Sequence, residues 1–388
     1  MNIPFGDYSL LFFITFGVAL IGTCIAIPLA KRLKFVDRPG EHKSHSRITP
    51  LGGGVVIFFA LLTILLFPSF RDTLTVVIVC AGGLLMLVGL IDDLIGVSAV
   101  TKFSILILLT IVLSQFGIMA RTTNIFILDL LITIFWVTGV SSAFNAIDNM
   151  DGLATGVTAI AAGTFFIVAC QTDQWSFGAL SICLAGAAFG FLILNFPPAR
   201  IFMGDAGSLL LGFVLAMLGV TGEWNYNPII AAVIPILILG FPIFDLSFTV
   251  LTRHFRGVTG TIVAAIRHCD TDHISHRLIK LGLSPIRALL FMWFISLSFA
   301  ISALTLRHAL SVDAVLHLLQ ALCITLGLIF ILLLPMASKK GPAENPAYNP
   351  ESPHLRSNLK IRLGLVLAWS IFLGLLIFGT RLLNLSFH

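Results

Sequence analysis

Six aspartates stand out in a chain otherwise poor in charge: Asp92 and Asp93 side by side, Asp148 and Asp151 three residues apart, then Asp205 and Asp245. Adjacent aspartates repel one another unless a cation or basic groups sit between them. Asp92 and Asp93 also close an apolar run, where the partially negative end of a helix adds to the repulsion. Hard oxygen ligands of this kind suit Mg²⁺, which keeps several waters and bridges to substrate phosphates. A helical turn would place Asp148 and Asp151 on one face. Lys43, Lys102, His273, His276 and Arg277 accompany them, and such groups meet phosphate oxygens by charge, by imidazole donation or by bidentate pairing. The chemistry implied is that of phosphate held by a divalent cation and basic side chains.

Long apolar stretches must position these residues. Of 388 residues 58% are hydrophobic and 11% charged, with mean hydropathy +1.04, so most of the chain suits lipid as its solvent. Runs of about 18 or more apolar residues read as membrane-spanning helices. They fall near 8–30, 51–68, 74–91, 103–120, 124–142, 153–171, 175–195, 207–222, 228–251, 286–306, 314–335 and 361–383. The 124–142 and 207–222 runs are the weakest, so the reading is about 10–12 spans. The expectation is an all-α, polytopic integral membrane protein, one domain over 1–388 with a flexible, proline-containing cytoplasmic loop at about 337–360. No basic region precedes the first apolar run, so that run is read as a retained anchor rather than a cleaved leader.

The acidic clusters fall where odd-numbered runs end, which would bring them to one membrane face. With the first residue outside, nineteen of the 23 Lys and Arg lie on that same side, and only Arg71, Arg121, Arg307 and Arg381 on the other. That bias marks the carboxylate face as cytoplasmic and localises the net charge of +5 against anionic headgroups or an anionic substrate. A proton or ion pathway would instead place its charges near mid-bilayer. The six cysteines show no CxxC or zinc spacing and mostly sit in apolar runs as small hydrophobes.

Five segments carry the chemistry. A basic, histidine-containing loop, Glu41 to Pro50, meets Gly52-Gly53-Gly54 at a helix start, where free N–H groups suit an anion. The second is Ile91-Asp92-Asp93-Leu94-Ile95-Gly96, followed by Lys102, and the third is Asn145-Ala146-Ile147-Asp148-Asn149-Met150-Asp151-Gly152. The fourth, Asn195-Phe196-Pro197-Pro198 through Phe202-Met203-Gly204-Asp205-Ala206-Gly207-Ser208, delivers an aromatic ring, a carboxylate and Gly-Ser to a helix start, a set that suits a stacked base, a metal and a phosphate. The fifth is Arg267-His268-Cys269-Asp270-Thr271-Asp272-His273-Ile274-Ser275-His276-Arg277. His273 and His276 lack a well-spaced third soft ligand, which argues against zinc. Taken alone, the first segment also reads as a juxtamembrane basic loop before small packing residues and the second to fourth as helix caps or capped interfacial loops; that reading weakens when they share one face.

Together, in this order over residues 37–285, the segments resemble the polyprenyl-phosphate N-acetylhexosamine-1-phosphate transferases, the glycosyltransferase 4 type, most of all their undecaprenyl-phosphate GlcNAc-1-phosphate branch. The peptidoglycan branch typically carries adjacent histidines, which this chain lacks. The resemblance implies a Mg²⁺-dependent reaction, with Mn²⁺ as a substitute. A UDP-N-acetylhexosamine and undecaprenyl phosphate would give undecaprenyl-diphospho-sugar and UMP at the cytoplasmic face of the cell inner membrane, initiating O-antigen, teichoic acid or related cell-wall polymers. It implies Asp92 and Asp93 in metal binding and lipid-phosphate activation, Asp148 and Asp151 in the catalytic pocket, and Asp205 as a direct metal ligand. Asn145 and Asn195 would line the substrate site, Phe202 would stack on uracil, and Lys43 and Lys102 would contact phosphates. His273, Ser275, His276 and Arg277 would take the diphosphate or sugar side. Asp245 matches a family segment without an assigned role. The partners implied are the two substrates and the lipid bilayer, with no nucleic acid; a homodimer is left open.

The chain departs from the family pattern twice. Asp-Gly-x-Asp-Gly is here Asp148-Asn149-Met150-Asp151-Gly152, and His-x-His-His is His273-Ile274-Ser275-His276, where a hydroxyl that donates but carries no charge replaces one imidazole. The donor sugar is accordingly open, with GalNAc or a deoxy-aminosugar beside GlcNAc. Three other classes fit the residues less well. A transporter for an anionic solute is disfavoured by carboxylates at span ends. A CDP-alcohol phosphotransferase is disfavoured because its DGxxAR motif does not continue after Asp151-Gly152, where Leu153-Ala154-Thr155-Gly156 follow. A lipid-binding scaffold would tolerate loss of Asp92 and Asp205.

Overall fold

The computed structural model describes residues 5–37, 48–123, 125–255, 272–307, 319–321, 324–327 and 329. The expected spans at 361–383 and, for the most part, 314–335 lie outside the described residues, as do Lys43 and the 337–360 loop.

Helices account for nearly all the described chain, as they must where no water is present to satisfy backbone N–H and C=O groups. They are α1 (Phe5–Arg32), α2 (Gly53–Leu61), α3 (Thr73–Ile95), α4 (Ala99–Ser114), α5 (Phe126–Ile147), α6 (Leu153–Gln171), α7 (Trp175–Asn195), α8 (Gly204–Thr221), α9 (Pro228–Ile238), α10 (Gly240–Phe255), α11 (Ile274–Lys280) and α12 (Pro285–Leu306). One short antiparallel pair, β1 (Val36–Asp37) with β2 (Thr49–Pro50), has Val36 opposite Pro50 and Asp37 opposite Thr49. Among the described residues seven helices (α1, α3, α5, α6, α7, α8 and α12) are long and apolar enough to cross a membrane, or eight spans if the bent pair α9–α10 counts as one. The protein is an all-α, multi-pass membrane protein.

Three expected spans differ in form. The run at 51–68 is the short α2 followed by a 3₁₀ turn, Leu62–Leu66. Pro68 stops it, because the residue before a proline is pushed out of the helical region, and Phe67 is extended at φ −102°, ψ 102°. The run at 103–120 begins earlier, since Ser98 caps α4 by accepting the Thr101 N–H at 3.1 Å. Lys102 therefore sits in a helical first turn rather than in a loop. The run at 228–251 bends by 77° between α9 and α10. Pro242 has no N–H to give and its ring crowds the carbonyl four residues back, so α9 cannot continue through it.

α8 is the axis of the bundle, with every residue from Ala206 to Gly219 buried. It packs against α2, α3 and α5, while α7 packs against α1 and α6. With apolar lipid tails outside, close fit rather than water exclusion holds such helices together, and small residues permit it. A Cβ on Gly54 would lie 2.2 Å from the Gly207 nitrogen, and one on Gly89 2.4 Å from the Asp205 carbonyl oxygen. Those two glycines bring α2 and α3 directly against the start of α8. Side chains such as Phe13, Phe135 and Leu131 point outward, where lipid is their natural solvent.

Candidate active site

The C-terminus of α3, the N-terminus of α4 and the N-terminus of α8 meet at one end of the bundle. Lys102 joins them: its Nζ donates to Asp92 Oδ2 at 2.6 Å and to Asp205 Oδ2 at 2.5 Å. The other Asp92 oxygen accepts the Val97 N–H from the loop after α3. Asp93 does different work. Its Oδ1 accepts the Asp205 N–H at 2.8 Å and its Oδ2 the Ala206 N–H at 3.2 Å, so a carboxylate from α3 satisfies the free amides that open α8. The chain reaches that position through Gly204, at φ +69°, where a Cβ would meet Asp93 Oδ2 at 2.3 Å. Two adjacent aspartates thus coexist because one faces an ammonium and the other a helix N-terminus.

The α5–α6 turn lies beside them. Asn145 Nδ2 donates to Ser208 Oγ at 3.0 Å, tying α5 to α8. Asp148 ends α5, and burial, then the nearby carboxylates of Asp205, Asp93 and Asp151, push its carboxyl well above the usual range. Asp151 accepts the Ala199 N–H at 2.9 Å and so holds the loop between α7 and α8. Asn195 is buried and fully engaged. Its Oδ1 accepts from Gly152 N–H at 3.1 Å and from Thr155 Oγ1 at 2.9 Å, and its Nδ2 donates to the Ile201 carbonyl at 3.0 Å. Asn195 joins the α5–α6 turn to the α7–α8 loop. That loop is fixed from its other side as well, since Phe202 N–H donates to the Pro50 carbonyl and Gly53 N–H to the Phe202 carbonyl. The half-buried Phe202 ring is therefore carried by backbone that β2 holds in place.

α10 and α11 close the site. Asp245 Oδ2 lies 2.7 Å from His273 Nδ1, and its Oδ1 accepts the Ile274 N–H at 2.8 Å. The carboxylate that had no assigned role orients the imidazole and opens α11. Ser275 is buried, and its hydroxyl donates to Asn149 Oδ1 at 2.6 Å. Burial, then the positive charges of His273 and Lys280, hold the His276 imidazole below its ordinary value. Arg277 donates to the Asp272 carbonyl at 2.5 Å and to Thr252 Oγ1 at 2.9 Å, and its guanidinium stands 4.8 Å from the Phe248 ring centroid, pinning α11 to α10. Arg253 makes a two-contact pair with Asp272, at 2.9 and 2.5 Å. Burial works to raise the Asp272 carboxyl, but the Arg253 hydrogen bond and charge, with His273 and Arg277, hold it below the usual range.

Every expected site residue within the described chain is at this end of the bundle. Contacts with other protein groups occupy Asn195, Ser275 and Arg277, which bind the site's walls to one another. Asp245, Asn149, Arg253 and Asp272 have no role assigned from sequence. Asp245 stands out there as a carboxylate in a family segment, Asn149 as a departure from the family motif and Asp272 as part of the fifth segment, whereas Arg253 carries no signal.

The donor set suits a divalent cation. Two carboxylates from different helices, Asp92 and Asp205, already converge on one positive charge. Among the described residues no group of three His, Cys, Asp or Glu side chains forms a complete cage. Mg²⁺ does not require one, being commonly bound by one or two carboxylates with waters and substrate phosphate completing the shell.

Fold and site define a multi-pass membrane protein whose ionic chemistry is gathered at one end of a helix bundle. The model of glycosyl transferase family 4 matches residues 75–223, which hold Asp92, Asp93, Lys102, Asn145, Asp148, Asp151, Asn195, Phe202 and Asp205. The chain is 32% identical over 337 residues to the probable undecaprenyl-phosphate N-acetylglucosaminyl 1-phosphate transferase of Bacillus subtilis, covering 83% of this chain and 89% of the relative. It is 30% identical to the decaprenyl-phosphate N-acetylglucosaminephosphotransferase of Mycolicibacterium smegmatis, over 68% of this chain and 74% of that one. It is also 30% identical to the phospho-N-acetylmuramoyl-pentapeptide-transferase of Halalkalibacterium halodurans, over 76% and 95% respectively. The chain belongs to glycosyl transferase family 4 and is a membrane-embedded transferase.

Proposed function

We propose that this protein transfers N-acetylhexosamine-1-phosphate, with GlcNAc as the leading sugar, from a UDP-sugar to undecaprenyl phosphate. The products are undecaprenyl-diphospho-sugar and UMP, and the step initiates a lipid-linked surface polysaccharide. The observation that carries this reading is the convergence of Asp92 and Asp205 on Lys102 at the mouth of α8, a cation-binding arrangement between helices. The Lys and Arg bias supports placing this end at the cytoplasmic face of the membrane.

The chemistry follows from charge. A lipid phosphate monoester has a second pKa of about 6, so much of it is a dianion at neutral pH and needs little deprotonation. Its difficulty is approaching a second anionic phosphate. Asp92 and Asp205 would hold Mg²⁺, which supplies charge neutralisation between the two phosphate groups. Lys102 adds a positive charge at the same place, and His273, oriented by Asp245, offers its remaining ring nitrogen to the diphosphate. Holding the nucleophile in line while these charges offset the repulsion should supply most of the rate. Phe202 gives the uracil a ring to stack on. We favour direct displacement over a phosphoryl-aspartate intermediate at Asp151 or Asp92, because the lipid phosphate dianion is itself a competent nucleophile that needs little deprotonation.

Purified protein with Mg²⁺, undecaprenyl phosphate and a panel of radiolabelled UDP-sugars tests this reading. Label should enter lipid with release of UMP, and Asp205→Asn should abolish it. Absence of transfer from every donor by folded protein would overturn it. UMP exchange into UDP-sugar without lipid would favour the covalent route instead.

A further inference from the structure

Asn149 and Ser275 are 126 residues apart, yet their side chains touch. The Ser275 hydroxyl donates to Asn149 Oδ1 at 2.6 Å, while Asn149 Nδ2 donates to the Ala146 carbonyl in the last turn of α5, also at 2.6 Å. The amide is therefore used at both ends. One end is fixed to the helix that delivers Asp148, and the other reaches the helix that carries His276. Ser275 is 1% exposed and Asn149 is half-buried, so the serine side of the contact is shielded from solvent. A hydrogen bond in such surroundings is costly to break on one side, because the abandoned partner stays desolvated. On either side of Asn149 stand Asp148 and Asp151; on either side of Ser275, at one or two residues, stand His276 and His273. The pair is also the place where both departures from the family motifs meet. Asn stands where the usual motif has Gly, and Ser where it has His, and the two replacements bond to each other.

We propose that Asn149 and Ser275 form a neutral clamp that sets the register between the aspartate turn and the histidine helix of the transferase site. This deepens the proposed function and rests on it. A glycine at 149 could neither reach across nor hold Ala146. An imidazole at 275 would need the volume that the Asn149 side chain fills. The two positions are thus matched in size and in hydrogen bonding, and neither can change alone without opening or overfilling the seam. Both partners are uncharged at neutral pH, so the clamp binds the loops without adding charge between carboxylates and imidazoles. They are positioning residues, with the reacting groups borne by their neighbours.

The test is a double-mutant cycle on label transfer in the full-length protein, with Ser275→Ala, Asn149→Ala and the pair. Each single variant should lower kcat by about tenfold or more, because small misplacement of reacting groups is expensive, while KM for the donor moves less than about threefold. The double variant should be no worse than either single one. Ser275→Thr, which keeps the hydroxyl, should recover most of the kcat. The exchanged pair Asn149→Gly with Ser275→His should exceed both of its single variants, and this arm still decides the matter if the alanine variants fold poorly. Additive losses with active wild type, or a loss confined to donor KM, would overturn the clamp and leave the transferase reading intact. Wild type that transfers no label would overturn both.

Discussion

The two polar ends of this bundle use similar residues in opposite ways. At the far end Asp129 is 3% exposed, and a single oxygen accepts from the backbone and hydroxyls of Thr122 and Thr123, all within seven residues. Neighbouring ties there involve no carboxylate: Tyr8 Oη donates to the Trp175 carbonyl, Gln174 pairs with the backbone of Glu223, and Arg307 donates to the Gln171 side chain and carbonyl. At the site end Asp92 is held from five and ten residues away, by Val97 and Lys102, but the other carboxylate contacts reach across the fold. Lys102 meets Asp205 from 103 residues away, Asp93 meets the start of α8 from 112, and Asp151 meets Ala199 from 48. A carboxylate satisfied by its own turn stabilises a helix start. Carboxylates satisfied only by distant segments are held where several helices end, and ligands can compete for their partners. The difference separates scaffold from site better than burial does.

The sharpest way to break this contrast is to neutralise one aspartate at each end. Asp205→Asn should lower kcat for lipid transfer by about 10³-fold, the scale expected when preorganised charge at a reaction centre is removed. Asp129→Asn should leave kcat within about threefold while costing about 1–3 kcal/mol of stability in detergent unfolding. Equal loss of activity in a folded Asp129→Asn protein would show that the two ends are not functionally distinct.

Lys102→Met comes next. It strips the cation from between Asp92 and Asp205 and should reduce kcat/KM by about 10²-fold. Steady-state kinetics across a Mg²⁺ titration checks this, with the midpoint expected to move because the metal no longer shares its carboxylates with an ammonium. Asp245→Asn should lose about tenfold, since the imidazole keeps a hydrogen-bond partner but not the carboxylate that selects its tautomer. An unchanged rate would place His273 outside the chemistry.

The smallest effect concerns Asp148. Its carboxyl pKa is raised in the folded protein by burial and by Asp205, Asp93 and Asp151. A raised carboxyl binds its proton more tightly folded than unfolded, so stability falls as pH rises from the unfolded value of about 3.9 through the folded one. Asp148→Asn removes that penalty. The variant should melt about 2–4 °C higher than wild type at pH 8, with the gap closing towards pH 4. A gap that does not change with pH would mean that Asp148 titrates normally.

Hydropathy made most of the helices legible, because a segment of Leu, Ile, Val and Phe long enough to cross lipid has few other ways to satisfy its backbone. Helix breaks were harder to read. Pro68 and Pro242 are visible in the chain, but whether a proline ends a span or bends it depends on what packs around it, and here one did each. The spacing of Asp92-Asp93, Asp148 and Asp151, and Asp205 announced a charged face, since each cluster closes or opens an apolar run.

Residue types and order alone thus determined that this protein lives in a membrane, that Asp92, Asp93, Asp148, Asp151, Asp205 and Asp245 share one end, and that they suit phosphate chemistry. Tertiary structure alone decided how the work is divided. It set Asp92 against Lys102 and Asp93 against the amides of α8, although the two aspartates are chemically identical neighbours. It turned Asn195 and Arg277 into ties between loops, gave Asp245 its histidine, and joined Asn149 to Ser275. Sequence spacing fixes which face of a helix a side chain occupies. Which partner it meets there depends on contacts between segments far apart in the chain, and only packing of the whole bundle specifies those.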